Sequence, residues 1–380
     1  MLERFINHNK KEINFNISEN YLNSIGEYIN LIYEKKIKMV HYDFDINFTK
    51  ISFISPVFNK EKYLYSLILS IQNQFIEEFE IIFIDDCSTD NSINIINNYS
   101  KIDKRIKLIK NKINKGTLYS RSQGALKSKG EYIIFIDSDD LILKEGIFNS
   151  YIYIKKNKLS MVQFNTIFKR NKTLSLNYRY YKYKNIIKQP ILSNIFYYNE
   201  NYENADEKNT ALWDKIIEKS IVMKTINFIG EDYYNQMITI ENDVILLFSL
   251  FQNADSYQYI NETGYFYVRT NNDSISNTWN NFVKSNSIVH GLLVNIKFLY
   301  EKTGNTYFEK SFSVYKLQQS FKRYIFCFAK AFKEFNFVKN ILKKMLASPY
   351  IAQNDKNIIS IIDSSITLFY TSYKSKKKVL

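Results

Sequence analysis

From residue 51 to about residue 140 the chain switches repeatedly between two hydrophobic periods, and this switching limits the architectures open to it more than any other feature. "ISFIS" (51–55) is a strand-type run, and Pro56, which brings no backbone N–H to a ladder, is expected to stop it. "KEKYLYSLILSIQNQ" (60–74) then sets apolar residues at helical spacing. "EIIFID" (80–85) is a second strand, and "STDNSINIINNYS" a helix opened by Ser88 or Thr89 as N-cap. "RIKLIK" (105–110), "GTLYSRSQGALKSK" and "EYIIFID" (131–137) add a third strand, a third helix and a fourth strand. Strands alternating with helices every 25 to 30 residues or so imply parallel pairing through right-handed crossovers. The expected class is α/β, a Rossmann-like, mostly parallel sheet flanked by helices.

In sheets of this kind ligands bind beyond the carboxyl ends of the strands. Asp85 and Asp86 lie just past the second strand, Arg121 in the helix reached after the third, and Asp137, Asp139 and Asp140 just past the fourth. All are expected on one rim. Asp137 and Asp139 offer hard oxygen ligands that suit Mg²⁺ or Mn²⁺, ions that keep positions open for phosphate oxygens. "DSDD" is equally the composition of a solvated turn, with Asp140 either a third polar contact or the cap of a helix starting at Leu141. Asp85 or Asp86 can accept a uracil imide N–H or a ribose hydroxyl, whereas Ser88 and Asp90 suit a cap and an early helix position. Arg121 is either a solvated helix residue or a planar clamp on a nucleotide phosphate or base.

Composition narrows the partners. The net charge of +14 favours anionic ligands, but the lysines are scattered, apart from the tail "YKSKKKVL" at 373–380. No element gathers basic and aromatic residues in a nucleic-acid-binding pattern, so no nucleic-acid partner is expected. Two cysteines and three histidines provide neither a disulfide framework nor metal-ligand spacing, which fits a reducing compartment. The longest apolar run, "VILLFSLF" (244–251), falls short of the roughly 20 residues that cross a bilayer. It reads as a buried helix or strand. A cytoplasmic location is expected, with peripheral contact between the basic C-terminus and an anionic membrane.

The remaining segments are less regular. Residues 1–48 read as a helical extension, residues 150–205 as irregular loops rich in Tyr, Asn and Lys, and residues 279–380 as a helical region.

Taken in order, "ISFISPVFNKEKYLYSLILSIQNQ", "FEIIFIDDCSTDNS" and "NKGTLYSRSQGALKSKGEYIIFIDSDD" resemble the nucleotide-binding half of a family 2 glycosyltransferase with the GT-A fold. The resemblance implies a glycosyltransferase domain over 49–278, divided into a nucleotide-sugar half (49–150) and an acceptor half (151–278). It implies that Pro56 and Phe58 line the base pocket, that Asp85 or Asp86 contacts uracil or ribose, and that Arg121 contacts the nucleotide. Asp137 and Asp139 would form the DxD motif, with Asp139 ligating the metal at the diphosphate. The chain departs from the family's Arg-Asn-x-Gly, reading Arg121, Ser122, Gln123, Gly124.

The second half is similar at three points. "ALWDKIIEKSIV" resembles the family's Trp-x-Lys segment through Trp213 and Lys215. "ENDVILLF" resembles its Glu-Asp pair, with Asp243 in the Asp position, Asn242 in place of Glu, and Glu241 one residue early. "GYFYVRTNNDSIS" resembles its closing segment and makes Arg269 a candidate diphosphate contact. The implied reaction moves a sugar from a UDP-linked donor to a hydroxyl of a glycan, lipid-linked or protein acceptor, with metal dependence and inversion. Asp243 is the implied general base. The alternatives are a sugar-phosphate nucleotidyltransferase, for which "SPVFNKEKY" lacks a glycine-rich loop, and a catalytically silent binding protein.

Overall fold

A strand whose consecutive residues are nearly all apolar must be covered on both faces. β1 (Ile51–Val57), β2 (Phe79–Asp85) and β4 (Tyr132–Phe135) meet this requirement in a computed structural model, with β2 buried along its whole length. The structure describes residues 49–170, 173–177, 186–188, 211–238 and 242–269, and a few helical positions between 294 and 360. Residues 1–48, for which a helical extension is expected, and the basic tail 373–380 lie outside the described residues, as does most of the expected C-terminal helical region.

The helices of the first part are α1 (Glu61–Gln72), α2 (Ser92–Ile102), α3 (Thr117–Lys127) and α4 (Lys144–Asn157). Further strands are β3 (Ile106–Lys110), β5 (Leu141–Ile142), β6 (Met161–Arg170), β7 (Thr173–Asn177), β8 (Ile187–Lys188), β9 (Lys215–Glu218) and β10 (Ser256–Arg269). Helices α5 (Lys219–Ile229) and α6 (Asn242–Asn253) precede β10. All ten strands join one sheet in the order β3-β2-β1-β4-β9-β6-β10-β5, with β7 on β6 and β8 on β10. The first four pair in parallel, as the alternation predicts, and β6 and β10 run in the same direction. The antiparallel β9 joins the two sets, so the sheet is continuous across the two expected halves.

The two-residue period of the strands separates two cores. Ile82 and Ile84 of β2 face the side covered by α3, α5 and α6, while Ile81 and Phe83 face the side covered by α1, α2 and α4. Leu118, Ile221 and Phe248 fill the first core; Leu64, Ile68 and Ile147 fill the second. Each such side chain contributes about 1.5–3 kcal/mol of burial free energy.

Four boundaries differ from the sequence expectation, each for a local reason. β1 runs through Pro56 to Val57. The proline stays in register with Ile84 of β2, but the pairing of β1 with β4 ends at Ile54, so on that side no ladder partner needs an N–H from it. α2 begins at Ser92, not at Ser88 or Thr89, because Ser88 Oγ accepts the Asn59 N–H and Thr89 N–H donates to Asn59 Oδ1. No helix starts at Leu141. Leu141 and Ile142 form β5 against Tyr265 and Phe266, and α4 begins at Lys144. Finally, the stretch from 150 to 205, expected to be irregular, contains the end of α4 and strands β6, β7 and β8.

α4 approaches β10 so closely that a Cβ on Gly146 would lie 2.0 Å from the Thr263 carbonyl oxygen. Replacing a glycine within a helix by alanine ordinarily stabilises by up to about 1 kcal/mol. Gly146→Ala is instead expected to destabilise by about 1–3 kcal/mol in urea titration, the range for overpacking against a rigid neighbour. A higher urea midpoint would contradict the close contact.

Candidate active site at the strand ends

The site is built where β1, β2 and β4 end. Beyond β1, Asn59 takes a left-handed conformation (φ 54°), and the Lys60 and Glu61 N–H groups donate to Ser92 Oγ (2.9 Å) and Asp90 Oδ2 (3.0 Å). The loops after β1 and β2 are thereby interlocked. Phe58, expected in the base pocket, stands at this rim with 46% of its surface exposed, and Pro56 is half-buried below it.

Asp85 and Asp86 have separate roles. Asp86 accepts hydrogen bonds from Asn111 Nδ2, Lys115 N–H and Gly116 N–H, each 2.8 Å. Its carboxylate therefore shapes the turn into α3, where Gly116 has φ 84° and leaves no room for a Cβ beside the Ile238 backbone. Asp85 receives the Ser88 N–H on Oδ2 (3.2 Å), while its Oδ1 is buried without a partner. A buried acceptor left unmet costs about 1–3 kcal/mol and is therefore a place where a ligand donor gains most. Of the two acids, Asp85 is the one free to receive an N–H or hydroxyl.

Arg121 projects from α3 below this rim. Gly124, one turn on, packs against Ile54 and Ile84 with no space for a side chain, which brings α3 close to the sheet. The Arg121 side chain is 2% exposed. Its Nη2 donates to Asp137 Oδ1 (2.6 Å), and its Nη1 donates to both Asn242 Oδ1 and Asp243 Oδ1. Burial works against the charged guanidinium, but Asp243 and Asp137 outweigh it and strengthen its hold on the proton. Asn242, standing in the expected Glu position, thus supplies a neutral acceptor to the same guanidinium. The N-terminus of α6, where acids are favoured by the helix dipole, carries Asp243 to within one residue's reach of Asp137.

The acidic turn is held from beneath. Asp140 is buried and accepts from Tyr265 Oη (2.8 Å) and Val268 N–H (2.8 Å), and Tyr265 Oη in turn accepts the Asp137 N–H (3.1 Å). Asp140 is therefore a tie between the turn and β10, neither a helix cap nor a rim group. Burial, with Asp139 and Asp137 nearby, raises its carboxyl well above the ordinary range. Tyr265 stacks on Trp213 at 4.5 Å, and the adjacent Asp214 and Lys215 form a fully buried ion pair (2.7 Å). The Trp-x-Lys segment thus supports the turn from behind Tyr265.

Asp137 and Asp139 both reach the rim, with 32% and 25% of their side chains exposed. Burial, reinforced by Asp243 and Asp139, pushes Asp137 up to about 6 against the pull of Arg121. Asp139 Oδ2 pairs with Lys60 Nζ at 2.5 Å. Burial disfavours the charged Lys60, yet Asp139 and Asp137 raise its pKa above the ordinary lysine value. Among the described residues no group of three or more His, Cys, Asp or Glu side chains forms a complete metal cage. The donor set still fits a hard divalent cation, because each of Asp137 and Asp139 keeps one oxygen outside its ion pair and such cations complete their shells with water and phosphate. Arg269 closes β10 opposite Arg170, and the position of its side chain lies outside the described residues.

The family model described as Glycosyl transferase family 2 matches residues 52–215, the stretch that runs from β1 to the start of β9. The segment 52–215 is thus similar to glycosyl transferase family 2. An uncharacterized glycosyltransferase of Haemophilus influenzae is 43% identical over 123 residues, 32% of this chain and 49% of that protein. A poly(ribitol-phosphate) beta-N-acetylglucosaminyltransferase of Staphylococcus aureus, TarP, is 29% identical over 272 residues, 70% of this chain and 71% of that protein. The chain thus spans about half the length of the first of these relatives. The solved structure of S. aureus TarS 1–349 with UDP-GlcNAc has the same fold, with a TM-score of 0.60 at 17% identity over 86% of this chain and 92% of that one. Among the described residues, no helix is long and apolar enough to cross a membrane.

Lys60 and Asn111 were not singled out by the sequence, although Lys60 follows the first strand closely enough for the same rim rule to reach it. Tyr265 lies within the closing segment "GYFYVRTNNDSIS", and its role depends on a contact 128 residues away that no local pattern announces. Removing the guanidinium leaves Asp137 and Asp243 facing one another without a counter-charge. Arg121→Met is therefore expected to destabilise the protein by about 2–4 kcal/mol at pH 7, below the full penalty of a buried pair because both acids are partly exposed. Urea unfolding at pH 7 tests this, and an unchanged midpoint would contradict it.

Proposed function

We propose that this chain transfers a sugar from a UDP-linked donor to an acceptor hydroxyl with inversion at the anomeric carbon. The observation that carries this reading is the Arg121 guanidinium, which holds a donor-side acid, Asp137, and a base candidate, Asp243, on one rim. Asp85 receives the uracil imide or a ribose hydroxyl through its unpartnered Oδ1. Asp139, with Asp137, holds Mn²⁺ or Mg²⁺, which when bound stabilises charge developing on the diphosphate as the sugar leaves. Asp243 has one oxygen committed to Arg121, and its Oδ2 takes the proton from the attacking acceptor hydroxyl. The arginine fixes that carboxylate's orientation, so the acceptor oxygen meets the sugar from the face opposite the diphosphate.

The similarity to TarP, a poly(ribitol-phosphate) beta-N-acetylglucosaminyltransferase, and to TarS in complex with UDP-GlcNAc supports a UDP-sugar donor and a polyol-phosphate or related glycan acceptor. The net charge of +14 favours such an anionic acceptor. Contact between the basic tail 373–380 and an anionic membrane would place the chain beside a lipid-linked acceptor.

Incubation with a panel of nucleotide sugars and Mn²⁺ tests the reading through slow release of UDP. Diphosphate release from UTP and a sugar phosphate would mark a nucleotidyltransferase instead, and no release from any donor would mark a silent binding protein. Asp243→Asn is expected to slow turnover by about 10² to 10⁴ while leaving UDP affinity nearly intact. Asp139→Asn is expected to remove the metal-dependent rate. Full activity of Asp243→Asn would overturn the base assignment.

A further inference from the structure

The two acids of the DxD turn are each already matched by a cation of this chain, but the two cations are held very differently. Arg121 is fixed by Asp137, Asn242 and Asp243 and is 2% exposed, so it cannot leave without uncovering three acceptors. Lys60 meets one carboxylate, Asp139, and its ammonium lies 5.5 Å from the centre of the Tyr63 ring. Its backbone is fastened by Ser92 Oγ, while its side chain reaches across the rim from the end of β1 to the turn after β4. A lysine ammonium on four rotatable bonds moves readily where an arginine fork does not.

A divalent cation approaching Asp139 meets that ammonium at a few ångströms, and like charges at this separation repel strongly in a partly buried site. The lysine must then yield the oxygen, and because the neighbouring Asp137 is already engaged by Arg121, a diphosphate bound at this rim offers it a fresh anionic partner. We propose that Lys60 is an exchangeable counter-ion: it neutralises Asp139 until a divalent cation takes that oxygen, and then turns onto the donor's diphosphate. The inference rests on the donor-site reading above and adds a residue to it. The exchange keeps the carboxylates compensated at every stage, and it makes cation and nucleotide binding mutually supporting, because each relieves the charge left by the other.

The test uses the full chain and reads binding, not turnover. Free Mn²⁺ is followed by electron paramagnetic resonance in titrations without nucleotide, and UDP affinity is measured calorimetrically at saturating Mn²⁺. Lys60→Met is expected to bind Mn²⁺ about three- to tenfold more tightly than the natural chain, and UDP about tenfold more weakly. Lys60→Arg is expected to restore most of the natural Mn²⁺ affinity, and circular dichroism checks that each variant is folded. Mn²⁺ affinity unchanged or lower in Lys60→Met, or UDP affinity unchanged, overturns the exchange. Asp139→Asn separates the two failures. If it abolishes Mn²⁺ binding while Lys60→Met has no effect, the donor site stands and only the lysine's role is wrong. If it binds Mn²⁺ like the natural chain, the cation reading and the exchange both fall.

Discussion

One buried guanidinium determines how the ends of this sheet are used. Arg121 sits where α3, the turn after β4 and the start of α6 converge, and it joins Asp137 to Asn242 and Asp243. Burying a charge costs several kcal/mol unless it is paired and fully bonded. Two carboxylates and an amide oxygen offset that cost at Nη1 and Nη2, while Nε stays buried without a partner among the described residues, and the arginine keeps two mutually repelling acids close together. Without it, Asp137 and Asp243 would be driven apart.

The remaining structure supplies rigidity to that arrangement. The acidic turn would be a loose surface loop if it depended on Arg121 alone. Asp140 and Tyr265 fasten it to β10, and Trp213 stacks behind the tyrosine. The loops after β1 and β2 lock to each other through Asn59, Ser88, Asp90 and Ser92. Asp85, Asp137, Asp139 and Asp243 are therefore positioned by separate ties that converge on one rim, as the strand order of an α/β sheet requires.

Much of this was legible in the sequence because it is written in short-range patterns. The alternation of strand and helix placed Asp85, Arg121, Asp137 and Asp139 on one edge, and the parallel order of β1 to β4 agrees with it. Asp243 stood out through the resemblance of "ENDVILLF" to the family's Glu-Asp pair. What the sequence did not show are relations between distant segments. Asp85 and Asp86 look equivalent side by side, yet Asp86 is saturated by the 111–116 turn and only Asp85 keeps an open oxygen. Asp140 looked like a cap and proved to be a buried tie, because β10 returns beside it more than a hundred residues later. Pro56 looked like a strand end, and whether it breaks a strand depends on how far its neighbour extends.

The central claim is that these strand ends form one donor site organised by Arg121, with the base already in place. A crystal structure with UDP and Mn²⁺ tests it most directly. The account predicts the uracil ring against Asp85, the cation between Asp139 and the diphosphate, and the Arg121 bridge to Asp137 and Asp243 retained. Nucleotide bound away from β1, β2 and β4, or Arg121 released from both acids, would contradict it.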